Sequence, residues 1–207
     1  MRKELIDGVN IPIPESYKDC VLLALSDYYR YCGKKATLCK MLIYSLKNEC
    51  FAFSLWLRLS AFRLNIPILG GVIYCVPKLF KTIIGRRRGI MISEKMPIGY
   101  GLYLSHGFGI IVNPKAIIGS NCMISQFTTI GAIEGKAAVV GDNVYIGPNV
   151  CLVENVHVGS NSIIGAGSVV VRDVPHDSIV AGTPAKVISD KNTKNYICNP
   201  WIIKWFI

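Results

Sequence analysis

"VVGDNVYIGPNVCLVENVHVGSNSIIGAGSVV", residues 139–170, places an aliphatic residue at every sixth position. The series consists of Val140, Ile146, Leu152, Val158, Ile164 and Val170. A period of six fits neither an amphipathic helix nor the simple alternation of an ordinary strand. It is typical of a parallel β-helix, in which short strands joined by corners form a coil and each aliphatic side chain points into the prism. We therefore predict a parallel β-helix.

The repeat continues upstream with two interruptions. The same step gives Val112, Ile118, Ile124 and Ile130, and a shorter register gives Ile92, Ile98 and Leu104. Two extra residues between Leu104 and Val112 predict a bulge at "SHGFG", and a longer insertion, "GAIEGKAAV", predicts a loop between Ile130 and Val140. Insertions into a solenoid tend to lie on its functional face, so a site is expected near these two breaks.

Composition and cysteine usage narrow the class of protein. A chain of 207 residues that is 51% hydrophobic can bury a substantial core and is not a disordered tail. The eight cysteines form no C-x-x-C pair, and the start "MRKELIDGVN" lacks the apolar stretch of a secretory signal. We therefore expect a reduced, cytoplasmic protein without a metal site.

The net charge of +10 is concentrated in the flanks of the chain. Residues 1–90 carry 15 Lys and Arg against 6 Asp and Glu, residues 91–190 carry 5 against 7, and residues 191–207 carry 3 against none. No nucleic-acid recognition motif accompanies these cations, so nucleic acid is not an expected partner.

The N-terminal region predicts helices rather than strands. "CVLLALSDYYRYC" and "NECFAFSLWLRLSAFRL" lack strand alternation, and the longest uncharged stretch, Leu64 to Pro77, has 14 residues, short of the ~18 needed to span a bilayer. Two interpretations remain open. Residues 51–88, helped by the tail, contact the inner face of the cell membrane peripherally, or they pack on each other or on a neighbouring subunit.

Three segments together resemble a known family. "GLYLSHGFGIIV", the stretch "IGAIEGKAAVVGDNVYIGPNVCLVENVHVGSNSIIGAGSVVVRDVP" and the closing "IVAGTPAKVI" are similar to the hexapeptide-repeat acyltransferases. The most similar branch is the serine acetyltransferase-like group, closest to the colanic-acid and capsular polysaccharide O-acetyltransferases. The resemblance implies a mainly β protein: a left-handed parallel β-helix over residues 90–188, a helical N-terminal region over 1–89 and a tail over 189–207.

The resemblance also implies acetyl transfer from acetyl-CoA to a hydroxyl, with His106 of the "SHG" stretch as general base. An alcohol is too weak an acid to attack a thioester unaided, and a positioned imidazole accelerates such a step by roughly 10² to 10⁴. We expect the backbone amides of Gly107 and Gly109 to hold the developing oxyanion. His157 and His176 fall in a regular rung and near the end of the coil, where we expect solvent-facing side chains without a catalytic role.

Other family positions match less completely. Serine acetyltransferases orient the base with an aspartate one rung earlier and place a second histidine in the extended loop; here Met91 occupies the aspartate position and the loop has no histidine. Glu94 and Glu134 are the candidates for an orienting acid. The positions that match the family's CoA site are Gly165, Ala166, Thr183 and Lys186.

The missing aspartate and histidine belong to the amino-acid site of serine acetyltransferases, so we predict a different acceptor. The predicted function is O-acetylation of a sugar in a surface polysaccharide or its lipid-linked precursor. One alternative is serine O-acetylation in cysteine biosynthesis, and a second is a non-catalytic β-helix binding protein. The resemblance further implies a homotrimer with an acyl site at each interface.

Overall fold

Helices precede a coil of short strands in the computed structural model, which describes residues 1–62, 69–133, 135–191 and 196–202. The helices are α1 (Tyr17–Cys32), α2 (Leu38–Ser45), α3 (Glu49–Leu59) and α4 (Leu69–Arg88). The strands are β1 (Arg2–Ile6), β2 (Val9–Ile13), β3 (Tyr103–Ser105), β4 (Ile111–Val112), β5 (Ile117–Ile118), β6 (Met123–Ser125), β7 (Thr129–Gly131), β8 (Val139–Val140), β9 (Tyr145–Ile146), β10 (Cys151–Val153), β11 (His157–Val158), β12 (Ile163–Ile164), β13 (Val169–Val170), β14 (Ile179–Gly182) and β15 (Ala185–Ser189).

The strands from β3 to β14 build a three-sided prism. The first face is the parallel ladder β3-β6-β9-β12-β14, the second is β4-β7-β10-β13, and the third is β5-β8-β11. Strand β15 then turns back antiparallel on β14 and closes the first sheet. The predicted fold class, a left-handed parallel β-helix with a helical N-terminal region, is confirmed.

The core of the prism consists of the residues that define the repeat. Every member of the three predicted registers is buried: Ile92, Ile98, Leu104, Val112, Ile118, Ile124, Ile130, Val140, Ile146, Leu152, Val158, Ile164 and Val170. A regular coil has 18 residues, as in the pairing of Leu152 with Val170. The coil lengthens to 20 residues where Leu104 pairs with Ile124, and to 22 where Ile118 pairs with Val140. Both predicted breaks therefore lie where the sequence places them.

The N-terminal end of the coil is closed by polar side chains from α1 and α3. Asp27 accepts from the Leu102 amide at 2.8 Å, and Arg58 donates to the carbonyls of Ile98 at 3.0 Å and Gly99 at 2.6 Å. Asp27 and Arg58 also form a buried ion pair, 2.8 Å long. These bonds replace the missing rung below the first coil, because buried backbone groups need partners.

This packing corrects part of the membrane interpretation. In α3, Phe51, Phe53, Leu55, Leu57 and Leu59 are all buried within the protein. Helix α3 therefore packs inside the molecule, and within the described part of the segment 51–88 the exposed apolar residues belong to α4. Among the described residues no helix is long and apolar enough to cross a bilayer.

Two further elements cover faces of the prism. The hairpin β1-β2 packs Val9 and Ile11 on Ile117 and Val139 of the third face. The sequence analysis did not predict this hairpin. From the tail, Trp201 is buried beside Leu23 and Tyr100, so this tryptophan belongs to the protein core; Lys204 and Trp205 lie outside the described residues.

Candidate functional site

His106 lies in the predicted bulge, directly after β3, and its side chain is exposed. The corner between the first and second faces normally holds one residue with positive φ, at Gly109, Phe127, Asn149 and Gly167. His106 has a φ of +48° and stands outside that column, in the two-residue insertion. A left-handed conformation is uncommon for a non-glycine residue and occurs often at functional sites. The bulge thus raises His106 from the regular coil into solvent.

The two glycine amides of the bulge are occupied. The Gly107 N–H donates to the Sγ of Cys50 at 3.1 Å, and the Gly109 N–H donates to the Arg88 carbonyl at 2.8 Å. Neither donor is free for a substrate. The expectation that these amides hold an oxyanion is therefore wrong, and their role is to fasten the bulge to α3 and α4.

Tyr31 fixes the strand that leads to His106. Its hydroxyl donates to the Leu104 carbonyl at 3.1 Å and accepts from the Leu104 amide at 3.0 Å. Its ring stacks on Tyr103 with centroids 4.2 Å apart. Burial raises the pKa of Tyr31 well above its ordinary value, so the hydroxyl stays protonated and serves as donor and acceptor together. The sequence analysis missed this residue, because an internal helix tyrosine carries no motif.

A cavity of about 800 Å³ adjoins the bulge between α4 and the second face. Met91 and Ile111, which pair with each other, line it and remain 64% and 44% exposed. Arg86 of α4 lies at its rim with an exposed side chain. The cavity meets the bulge at Gly89, where a Cβ would lie 3.5 Å from the Gly109 Cα. A mainly apolar pocket with a few polar groups is typical of small-molecule sites.

The candidate acids occupy different surroundings. Glu94 lines the cavity but bonds to α4: Tyr74 donates to it at 3.2 Å, and Lys78 and Lys81 pair with it. Burial alone would raise the pKa of Glu94, but the hydrogen bonds and charges of the two lysines outweigh it and lower the pKa to about 2. In the described part of the chain no hydrogen bond joins Glu94 to His106. Glu134 lies outside the described residues.

The four candidate CoA residues come together at the other end of the coil. Gly165 and Ala166 follow β12, and the Thr183 hydroxyl donates to the Gly167 carbonyl at 3.3 Å. Lys186 lies on β15 with an exposed side chain. Strands β3 and β12 are three rungs apart in the first sheet, a separation of roughly 14 Å at ~4.8 Å per rung. An extended thioester arm can cover that length between these residues and His106.

The other two histidines lie on the outside of the coil, as expected. His157 is 49% exposed and its Nδ1 is 3.7 Å from an Asp173 oxygen. The Nδ1 of His176 accepts from the Ser160 amide at 3.0 Å. Within the ranges that the structure describes, no three His, Cys, Asp or Glu side chains form a metal-binding group.

Comparisons with known proteins identify the same repeat. Residues 137–172 match the family model of the bacterial transferase hexapeptide (six repeats). A serine acetyltransferase of Synechococcus elongatus is 34% identical over 117 residues, which cover 55% of this chain and 48% of that protein. The chain therefore spans about half the length of the curated relative that it matches.

Solved structures extend the likeness to most of the chain. A serine acetyltransferase from Brucella abortus superposes with a TM-score of 0.65 at 23% identity, covering 86% of this chain and 71% of that one. One from Neisseria gonorrhoeae in complex with serine has a TM-score of 0.60 at 30% identity, covering 84% and 69%. A serine acetyltransferase in complex with CoA has a TM-score of 0.64 at 22% identity, covering 83% and 70%.

These comparisons overturn the predicted polysaccharide function. The curated relative and the matching structures are serine acetyltransferases. They favour the first alternative, serine O-acetylation, over O-acetylation of a sugar. Met91 and the histidine-free loop therefore do not exclude serine as the acceptor. The likeness to the solved serine acetyltransferases covers 86% of this chain, far more than these two positions.

Proposed function

We propose that this hexapeptide-repeat β-helix protein is an acetyl-CoA-dependent O-acetyltransferase whose acceptor is the hydroxyl of serine. The observation that carries the proposal is the exposed, left-handed His106 on a fastened bulge beside an open cavity. The match to a serine acetyltransferase supports serine as the acceptor. Acetyl-CoA enters as co-substrate, because a relative of this fold is known in complex with CoA.

His106 acts as general base in the proposed mechanism. Its imidazole takes the hydroxyl proton while the acceptor oxygen attacks the thioester carbonyl, and a C–O bond forms. When the intermediate collapses, the C–S bond breaks and the imidazolium returns the proton to the departing thiolate. The proton thus passes from acceptor to CoA thiol through one residue, and no other proton carrier is needed.

The position of His106 is set by the contacts of the residues around it. Cys50 and the Arg88 carbonyl fasten the bulge from one side, and Tyr31 holds β3 from the other. Such preorganisation matters because small misplacements of a reacting group reduce the rate steeply. Gly165, Ala166, Thr183 and Lys186 are the proposed CoA contacts, with Lys186 as a mobile positive charge for a phosphate. Glu94, held by α4, and Glu134 remain hypotheses for an orienting acid.

The active assembly is a homotrimer that packs through the second face of the prism. The third face is covered by the β1-β2 hairpin, and the first carries Tyr31 stacked on Tyr103 and Tyr196 stacked on Tyr145 at 4.9 Å. The second face instead presents Ile111, which is 44% exposed, and Val171, directly after β13, is 48% exposed. Exposed apolar patches on β-sheets are typical of interfaces. His106 and the cavity border this face, so a neighbouring copy would complete the site.

Release of free CoA thiol from acetyl-CoA tests the function. With the full chain, L-serine should raise the rate far above the rate without acceptor, and mass spectrometry should detect O-acetylserine. L-alanine, which lacks the hydroxyl, is the matched control and should give no increase. A serine-independent rate, with no O-acetylserine formed, would refute the proposed acceptor.

A further inference from the structure

The outward side of α4 is apolar and uncovered in the described part of the chain. Val76, Leu79, Phe80 and Ile83 are 43%, 57%, 43% and 45% exposed. Their spacing of three, four and seven residues places them on one side of a helix. We call these four residues the α4 stripe. Phe80 stacks on Trp56 with centroids 4.8 Å apart, which adds a partly exposed indole at the edge of the stripe.

The opposite side of α4 is fastened to the coil. Glu94 pairs with Lys78 at 3.1 Å and with Lys81, and Pro77 and Gly85 are buried. The helix cannot turn the stripe inward without breaking this buried carboxylate away from its two lysines. The stripe is therefore held toward solvent.

All charged residues of α4 are positive. Helix α4 contains five cations, Lys78, Lys81, Arg86, Arg87 and Arg88, and no acidic residue. The carboxylates that pair with them are Glu94 and Glu49, so a net charge of +3 remains. Arg86 and Arg87 are exposed, and they follow Ile83 by three and four residues, on the side of the helix that carries the stripe. The Arg87 side chain also lies 3.3 Å from Glu49 and remains 69% exposed in that pair.

We propose that the α4 stripe is a docking surface for an anionic lipid membrane, with its apolar side chains at the boundary of headgroups and acyl chains and Arg86 and Arg87 against lipid phosphates. An apolar stripe bordered by cations is the pattern of an interfacial helix. Anionic lipid neutralises the +3 charge, whereas pairing two copies through this surface would bring two such clusters into one interface.

Vesicle flotation with the full chain tests the proposal. The protein should float with phosphatidylcholine vesicles that contain phosphatidylglycerol at low salt, and should stay behind with phosphatidylcholine alone or at high salt. The double substitution Leu79→Gln with Ile83→Gln should weaken binding roughly tenfold or more through lost apolar contact. The double substitution Arg86→Gln with Arg87→Gln should weaken it about 25-fold, at about fivefold per arginine.

Matched variants distinguish binding through the α4 stripe from nonspecific binding to vesicles. Leu5→Gln with Ile188→Gln removes two apolar residues elsewhere that are more exposed than Leu79 and Ile83. Lys34→Gln with Lys40→Gln removes two exposed cations elsewhere. Both controls should float like the wild type, and all variants should keep the wild-type circular dichroism. A loss of vesicle binding in the control variants as large as in the stripe variants would overturn the proposal. So would a wild type that ignores anionic vesicles, or stripe variants that change the sedimentation of the protein without lipid, which would identify a second copy as the occupant.

Discussion

His106 and the residues beside it show how one side chain is removed from a regular structure. The coil places its left-handed residues in a fixed column at Gly109 and Phe127, and the two inserted residues put His106 ahead of that column. Hydrogen bonds from the Gly107 amide to Cys50 and from the Gly109 amide to the Arg88 carbonyl hold the backbone that follows His106.

His106→Ala should reduce kcat for acetyl transfer to L-serine by roughly 10² to 10⁴, because the alcohol loses its proton acceptor. Thiol release under saturating acetyl-CoA measures the effect. His157→Ala, on the outside of the coil, serves as the control and should stay near the wild-type rate. A His106→Ala protein that turns over within about threefold of wild type would remove the general-base assignment.

Tyr31→Phe should lower kcat roughly tenfold with little change in KM, because β3 loses the hydroxyl that bonds both backbone groups of Leu104 and His106 shifts. The variant should also lose about 1 to 3 kcal/mol of unfolding free energy, since a buried amide is left without its partner. Tyr103→Phe keeps the ring stack and should change neither quantity. A Tyr31→Phe enzyme with normal kcat would show that Tyr31 supports stability alone.

At the scale of elements, the helices act as the end cap of the coil. Helices α1 and α3 supply Asp27 and Arg58, which bond to Leu102, Ile98 and Gly99 in place of a preceding rung. Helix α4 is attached separately through Glu94, which joins it to the segment that leads into the first coil. The cavity lies between α4 and the second face, lined by Lys81, Thr82, Gly85 and Arg86 of the helix.

The ion pairs of Glu94 with Lys78 and Lys81 of α4 should stabilise the fold to an extent that depends on pH. The folded pKa of Glu94 is about 2, below its ordinary value of 4.5, so its ion pairs contribute fully above pH 4.5 and lose that contribution as the pH falls toward 2. The free energy of unfolding, measured by chemical denaturation between neutral pH and about pH 3, should be higher for wild type than for Glu94→Gln. This difference should narrow as the pH falls. Asp7→Asn, which breaks the exposed pair with Lys136, should differ little from wild type in unfolding free energy over the whole pH range. A Glu94→Gln gap independent of pH would contradict the assignment.

At the scale of the whole molecule, the three faces of the prism have different neighbours. The hairpin β1-β2 covers the third face, and tyrosines from α1 and the tail cover parts of the first. The second face and the α4 stripe both keep apolar side chains exposed. We assign the second face to other copies of the chain and the α4 stripe to lipid. Trimer assembly and membrane contact then use different surfaces.

Val169→Arg should dissociate the proposed trimer, because it places a charge on the second face, on its end strand β13 beside β10. Sedimentation should give three chains for the wild type and one for the variant, and activity should fall with assembly. Leu5→Arg, on the exposed strand β1, adds the same charge away from that face and should leave the trimer intact. A wild type that is an active monomer would exclude the trimer.

The sequence by itself determined the coil and the place of its breaks. A lone aliphatic residue every six positions can be buried only if the chain turns three times per coil, so local periodicity specified the β-helix, its core and the bulge at His106. It also separated His106 from His157, because only His106 falls in an insertion. These features depend on neighbours along the chain, which a sequence displays directly.

Only the tertiary structure decided what surrounds the coil. Asp27, Tyr31 and Arg58 look like ordinary helix residues, and their role appears when α1 and α3 are placed against an open rung some 70 or 40 residues away. The same packing buried α3, which by composition alone resembled a membrane-surface segment, and left α4 outside. It also occupied the Gly107 and Gly109 amides. Partners distant in sequence leave no periodic pattern, because the free energy of such contacts depends on the assembled fold.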